Sequence, residues 1–177
     1  MDGPAVMRQA GGMPKSSTKK PSYLGLLNAL AVGEAEGADY LRAWADTTSD
    51  PAVEEVLRFV VLRELEHSAV FAKRLAELGY GVLPREDATR HRRVMRMAKS
   101  AASDIEKFQR FRLHEGPDDT DVFDGFFTNK DIDPQTGALL GRYIAEERDS
   151  LRRFAACYDA LVRRSAKGAR TTAASVA

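Results

Sequence analysis

Apolar residues recur every three to four positions in four stretches of this chain, the spacing that lines them along one side of an α-helix. The first stretch runs from about Pro21 to Trp44, with Leu24, Leu27, Ala31, Ala38 and Leu41 on one stripe, and the polar run Asp46 to Asp50 interrupts it. The second is predicted to begin with Asp50 as N-cap and Pro51 at the first helical position, where a missing N–H leaves no bond unmade. It ends at Leu78, just before Gly79, a residue that commonly terminates helices. After the connector Gly79 to Asp87, a third helix is predicted from about Ala88 to Leu113, with Val94, Met97, Ala101, Phe108 and Phe111 on its stripe. The stretch Glu115 to Ile132 is less regular but holds Val122, Phe123, Phe126 and Phe127, and reads as an ordered loop or short helix covering one end of a bundle. The fourth helix repeats the Asp-Pro start at Asp133-Pro134 and runs to about Val162. No segment shows the period-two alternation of a strand, so the expected class is all-α.

The second and fourth helices repeat one pattern. With Asp50-Pro51 set on Asp133-Pro134, an offset of 83, Leu57 meets Leu140, Val61 meets Ile144, Phe71 meets Phe154 and Leu78 meets Leu161. At that offset Glu64 meets Glu147 and His67 meets Ser150. The first and third helices match at an offset of 70, which pairs Leu24 with Val94, Leu27 with Met97, Leu41 with Phe111, and Glu34 with Asp104. Such a two-copy pattern predicts an antiparallel four-helix bundle built from two helical hairpins.

Composition narrows the setting. A chain of 177 residues, 44% hydrophobic and 30% charged, suits one globular domain, and a formal net charge of +1 carries no field that calls for nucleic acid or membrane. No run of about 18 apolar residues is present for a transmembrane helix. Residues 1–20, rich in Gly, Pro, Ser and Lys, read as a flexible leader without the apolar stretch of a secretory signal; residues 21–163 form the bundle and 164–177 a flexible tail. The lone cysteine, Cys157, excludes an internal disulfide and a cysteine metal cluster, and suits a cytoplasmic location.

The candidate chemistry lies inside the stripes. Glu34, Glu64, Asp104 and Glu147 each fall near the middle of a predicted helix, so their heights agree whichever way neighbouring helices run. Four acids converging in a dry layer repel one another, and burying a charge without a partner costs several kcal/mol or more. No lysine or arginine occupies the matching core positions. Two divalent cations would neutralise the layer; partial exposure or protonation of the acids is the metal-free alternative. Glu64 and His67, three residues apart, project from one helical face and can share an ion with Glu34 arriving from the first helix. Carboxylate and imidazole ligation suits iron(II) or manganese(II) and leaves positions open for oxygen or peroxide.

On Gly33-Glu34 in the first helix, Glu64-Leu65-Glu66-His67 in the second and Glu146-Glu147 in the fourth, the chain resembles the ferritin-like superfamily, the bacterioferritins, rubrerythrins and related diiron-carboxylate proteins. The resemblance covers about Tyr23 to Leu161. It implies Glu34 as a terminal ligand, Glu64 as a bridging ligand and His67 as the nitrogen ligand of a first iron, with Asp104 and Glu147 serving a second. It also implies oxidation of iron(II), iron storage, or reduction of peroxide or oxygen by a non-haem iron oxidoreductase, and a homo-oligomer of dimer size or larger. Two departures stand out: Ser150 occupies the place of the second histidine, and Asp104 is shorter than the usual Glu. One or two ions are therefore expected. A ferritin-like bundle that binds a single metal, or serves structure or interaction without redox turnover, is the alternative.

Tyr40 and Tyr143 lie within reach of the proposed layer as core tyrosines or hydrogen-bond partners. The basic cluster Arg90, His91, Arg92, Arg93, Arg96 and Lys99 reads as a solvated helix start rather than a nucleic-acid surface. Cys157 has no neighbouring base at helical spacing to activate it.

Overall fold

The computed structural model describes residues 20–84, 88–117 and 131–175. Within them the protein is all-helical, with no strand: α1 (Leu24–Ala45), α2 (Pro51–Glu77), α3 (Thr89–Ala98), α4 (Asp104–Arg110) and α5 (Pro134–Ser175). None of these helices is long and apolar enough to cross a membrane. The leader assigned to residues 1–20 lies outside the described residues except for Lys20, as does most of the covering segment, residues 118–130.

The ends of the long helices follow their residues. Asp50 caps α2, its Oδ1 accepting the N–H groups of Ala52 and Val53 at 3.0 and 3.2 Å. Gly79, at φ 85°, ends the helix in the left-handed region that a side chain would strain. Asp133 opens α5 in the same way, accepting the Thr136 N–H at 3.0 Å. α5 continues past Val162, where the apolar pattern stops, to Ser175. Beyond Val162 the sequence is rich in Ala and Arg and holds no proline, so helix propensity sustains what the stripe no longer predicts.

α1 and α2 form an antiparallel hairpin: Ser68 Oγ donates to Ala31 O at 2.7 Å, and Asn28 and Leu83 exchange two hydrogen bonds near its far end. α5 runs antiparallel to α2 and parallel to α1, with Arg74 bonded to Asp133 at one end and Cys157 against Ala52 O near the other. The apolar core falls into two clusters, the first of which also takes in Phe108 from α4. One gathers Ala38, Leu41, Trp44, Val53, Leu57, Val60, Phe108 and Phe154; the other gathers Tyr23, Leu24, Leu27, Ala31, Phe71, Leu75, Leu140 and Ile144. The gap between them falls between Ala31 and Ala38 in α1, between Val61 and Phe71 in α2, and between Ile144 and Phe154 in α5.

The third helix departs from expectation. Instead of one rod from Ala88 to Leu113 there are two short helices, broken at residues 99–103. Ser103 caps α4 in a complete capping box with Glu106, and Ser100 Oγ donates to Met97 O at 2.8 Å while accepting the Ala102 N–H at 3.3 Å. Serines thus satisfy the backbone on both sides of the break. α3 runs alongside α1 in the same direction, with His91 near Asp39 and Thr47 bonded to Ala98 O. α4 then turns back, Asp104 meeting Thr48 and Phe111 packing on Tyr40.

A buried polar knot ties α1, α2 and α5 at the Tyr23 end. Asp133 accepts from Tyr23, from Arg74 Nη2 at 3.0 Å and from Thr136 Oγ1 at 2.6 Å, while Arg74 Nε donates to Thr136 Oγ1 at 2.9 Å. Burial opposes the charge on Asp133, yet the bonds from Thr136, Tyr23 and Arg74 outweigh it and hold the carboxyl well below the usual range. Asp133→Ala removes the cap of α5 and leaves buried Arg74 without that partner, so a loss of about 3 kcal/mol is expected in urea unfolding of the full chain. A loss below about 1 kcal/mol would show that the knot is not what joins the helices.

Candidate metal centre

The gap in the core is polar because each helix places an acid or imidazole there. Glu34 on α1 is 7% exposed and His67 on α2 is 3% exposed, while Glu147 on α5 is half-buried. His67 Nδ1 lies 3.2 Å from Glu34 Oε2 and 3.4 Å from Glu147 Oε1. One ligand atom from each of the three residues lies within 4.8 Å of the others, three donors from three helices around one point. Tyr143 donates its hydroxyl proton to Glu34 Oε1 at 2.9 Å, leaving Oε2 for the cluster. Glu147 Oε1 is buried and makes no hydrogen bond.

The opposite edge of the imidazole is held separately. His67 Nε2 lies 2.8 Å from Glu146 Oε2, and Arg142 Nε grips the other oxygen of Glu146 at 3.0 Å. A carboxylate that accepts the Nε2 proton favours the tautomer whose Nδ1 lone pair faces Glu34 and Glu147, the arrangement that usually orients a metal-binding histidine.

Glu64 completes the acid group. Its carboxyl lies against the backbone of α1 at Gly37, where an added Cβ would stand 2.2 Å from Glu64 Oε2 and 3.1 Å from its Cδ. Gly37 is therefore the opening in α1 that admits this side chain. A cleft of about 240 Å³ reaches the cluster from one side, lined among others by Gly37, Tyr40, Glu64, Glu147, Arg90 and His91.

Burial and mutual repulsion set the protonation of the group. Burial, then the negative charges of Glu34 and Glu147, push Glu64 up to about 10. Burial likewise raises Glu147, although its contact with His67 works the other way. For His67, burial alone would favour the neutral ring; the carboxylates of Glu147, Glu34 and Glu146 close around it overcome that and lift the imidazole to about 10. Tyr40 and Tyr143 are both raised, by burial and then by the neighbouring acids. Near neutral pH and without metal, Glu64 is thus a carboxylic acid and His67 an imidazolium. Protons supply the positive charge that the layer needs.

Of the five residues expected as ligands, Glu34, Glu64, His67 and Glu147 meet in this layer. Asp104 does not. It sits in the first turn of α4, accepting from Trp44 Nε1 and Thr48 Oγ1, each at 2.6 Å. Trp44 lies ten residues beyond Glu34 in the sequence, about 15 Å along the axis of α1. The cause is the break at residues 99–103, which moves Asp104 from the middle of a helix to its start. Ser150, in the place of a second histidine, accepts from Arg63 Nη1 at 3.2 Å, and that same nitrogen lies 2.7 Å from Asp149. Arg63 thus brings a cation to the edge of the layer, where the sequence pattern placed none. Three contributors went unassigned in the sequence. Glu146 and Arg142 form a pair four residues apart on α5 that helical spacing makes visible. Gly37 sits in the interior of a long helix, where a glycine often signals a close approach.

The donor set fits a divalent cation: two carboxylates and one imidazole converge, and the unbonded Glu147 Oε1 awaits a partner. No family model, curated protein or solved structure matches the chain.

Two outcomes follow from this geometry. Gly37→Ala gains about 1 kcal/mol of helix propensity but drives the Glu64 carboxyl from its seat, so unfolding temperature should hold or rise while manganese(II) affinity falls about tenfold by calorimetry. Equal affinity would separate Glu64 from the site. The second outcome concerns pH. His67 and Glu64 both have folded-state values near 10, above their unfolded values of about 6.5 and 4.3. The folded state therefore holds more protons between these limits, and stability falls as pH rises through them. Chelator-treated protein should lose thermal stability steadily from about pH 6 to pH 10, less steeply in His67→Gln. A rise in stability over that range would contradict the assignment.

Proposed function

We propose that the chain is a ferritin-like metal-binding protein that takes iron(II), or manganese(II) in its place, at Glu34, His67 and Glu147, with Glu64 beside them. The observation that carries the reading is the convergence of those three donors from three helices in the gap between the apolar clusters. Iron held there supplies a one-electron couple, with dioxygen or peroxide as the acceptor, so the activity proposed is oxidation of iron(II) or reduction of peroxide. The protein's own residues bind and orient. Glu146, steadied by Arg142, fixes the His67 ring; Tyr143 fixes Glu34; the cleft past Tyr40 and His91 admits a small oxidant.

A second reading, a single-metal site without redox turnover, draws support from the partners of Ser150 and Asp104. Among the described residues only one group of potential metal donors forms, and both of those side chains are committed to protein partners. Anaerobic titration with iron(II), followed by oxygen, separates the two. One ion bound per chain is expected in either case. Oxidation complete within seconds to minutes supports the redox protein, and iron that stays reduced supports the binder. His67→Ala is expected to lose at least about tenfold in iron affinity, with helical content by circular dichroism unchanged. Full iron binding in that variant would remove His67 as a ligand and the proposal with it.

A further inference from the structure

The outward face of α2 is apolar where a solvent-facing helix is normally polar. Leu62 is 68% exposed, Leu65 41% and Phe59 37%, and the three follow one another along a single stripe. Two guanidinium groups, Arg63 and Arg153, stack on Phe59 at 4.4 and 4.5 Å. Nothing among the described residues covers Leu62.

The charges around this stripe say what fits it. Arg58 lies four residues before Leu62 and Glu66 four residues after; Phe59 lies three before and Leu65 three after. Turning a second α2 end for end about Leu62 therefore sets Leu62 on its own copy at the axis, and Phe59 on Leu65 and Arg58 on Glu66, these last two contacts each occurring twice. Arg58 and Glu66 are about half exposed, available to a neighbour as well as to their own partners Glu54, Asp46 and Arg142. A face complementary to itself under a two-fold rotation is the requirement of an isologous dimer.

We infer that the α2 face centred on Leu62 is the interface of a homodimer in which two copies of α2 pack antiparallel. The apolar centre, Phe59, Leu62 and Leu65, is sealed on both sides by ion pairs between Arg58 of one copy and Glu66 of the other. The inference stands apart from the metal reading, since neither the face nor its test needs a bound ion. The two regions do share one side chain: Arg142 bonds Glu66 at 2.6 Å and Glu146 at 3.0 Å, so the arginine that steadies the His67 partner also borders the interface.

Sedimentation of the full chain across about 1 to 100 µM tests it, dimer being expected at the upper end. Leu62→Glu, on an exposed position, should raise the dissociation constant at least about tenfold with helical content retained. Arg58→Glu should weaken the dimer by facing Glu66 of the second copy, and adding Glu66→Arg should restore it although the internal ion pairs to Glu54, Asp46 and Arg142 are then all disturbed. A monomer at the highest concentration overturns the inference. So does a dimer indifferent to Leu62→Glu, or a double exchange no tighter than Arg58→Glu alone.

Discussion

Between the two apolar clusters lies a thin layer in which Glu34, Glu64 and Glu147 crowd around His67. Buried acids of like charge cannot persist together without positive charge among them. In the metal-free protein that charge is a pair of protons, one on the imidazole and one on Glu64, both held to about pH 10. A divalent cation brings the same charge to the same place and gives the unbonded Glu147 oxygen a partner. The layer is therefore suited to exchanging protons for metal. Much of the neighbourhood holds these groups in place: the opening at Gly37, the Tyr143 hydroxyl on Glu34, and the chain from Arg142 through Glu146 to the His67 ring.

Much of this was legible in the residues. The two Asp-Pro starts announced α2 and α5, because an Asp cap and a proline without an N–H both belong at a helix start. Glu34, Glu64, His67 and Glu147 stood out as polar residues on apolar stripes at matching heights, and they meet where the stripes are interrupted. The third helix differs from its apolar pattern for a definable reason. Apolar spacing from Val94 to Phe111 continues across a turn as though the helix were whole, while Ser103 with Glu106 already carries the capping box of a new start. Giving that local signal precedence over periodicity would have placed Asp104 at a helix start rather than in the layer.

What the sequence did not disclose depends on tertiary geometry. Which edge of His67 faces Glu146 follows from the rotation of α5, and stripe analysis does not resolve it. Arg63 lies beside Glu64 in the sequence, and its side chain reaches Ser150 and Asp149 and brings a cation to the margin of the acids. The place of a second histidine is thereby occupied by a serine bonded to an arginine.

The most direct test of the central claim is calorimetric titration of iron(II) into metal-free protein near neutral pH, without oxygen, in two buffers of different ionisation enthalpy. Binding should expel protons from His67 and Glu64, so the observed heats should differ between buffers in proportion to the protons released. Binding with the same heat in both buffers, or no binding at all, would contradict it.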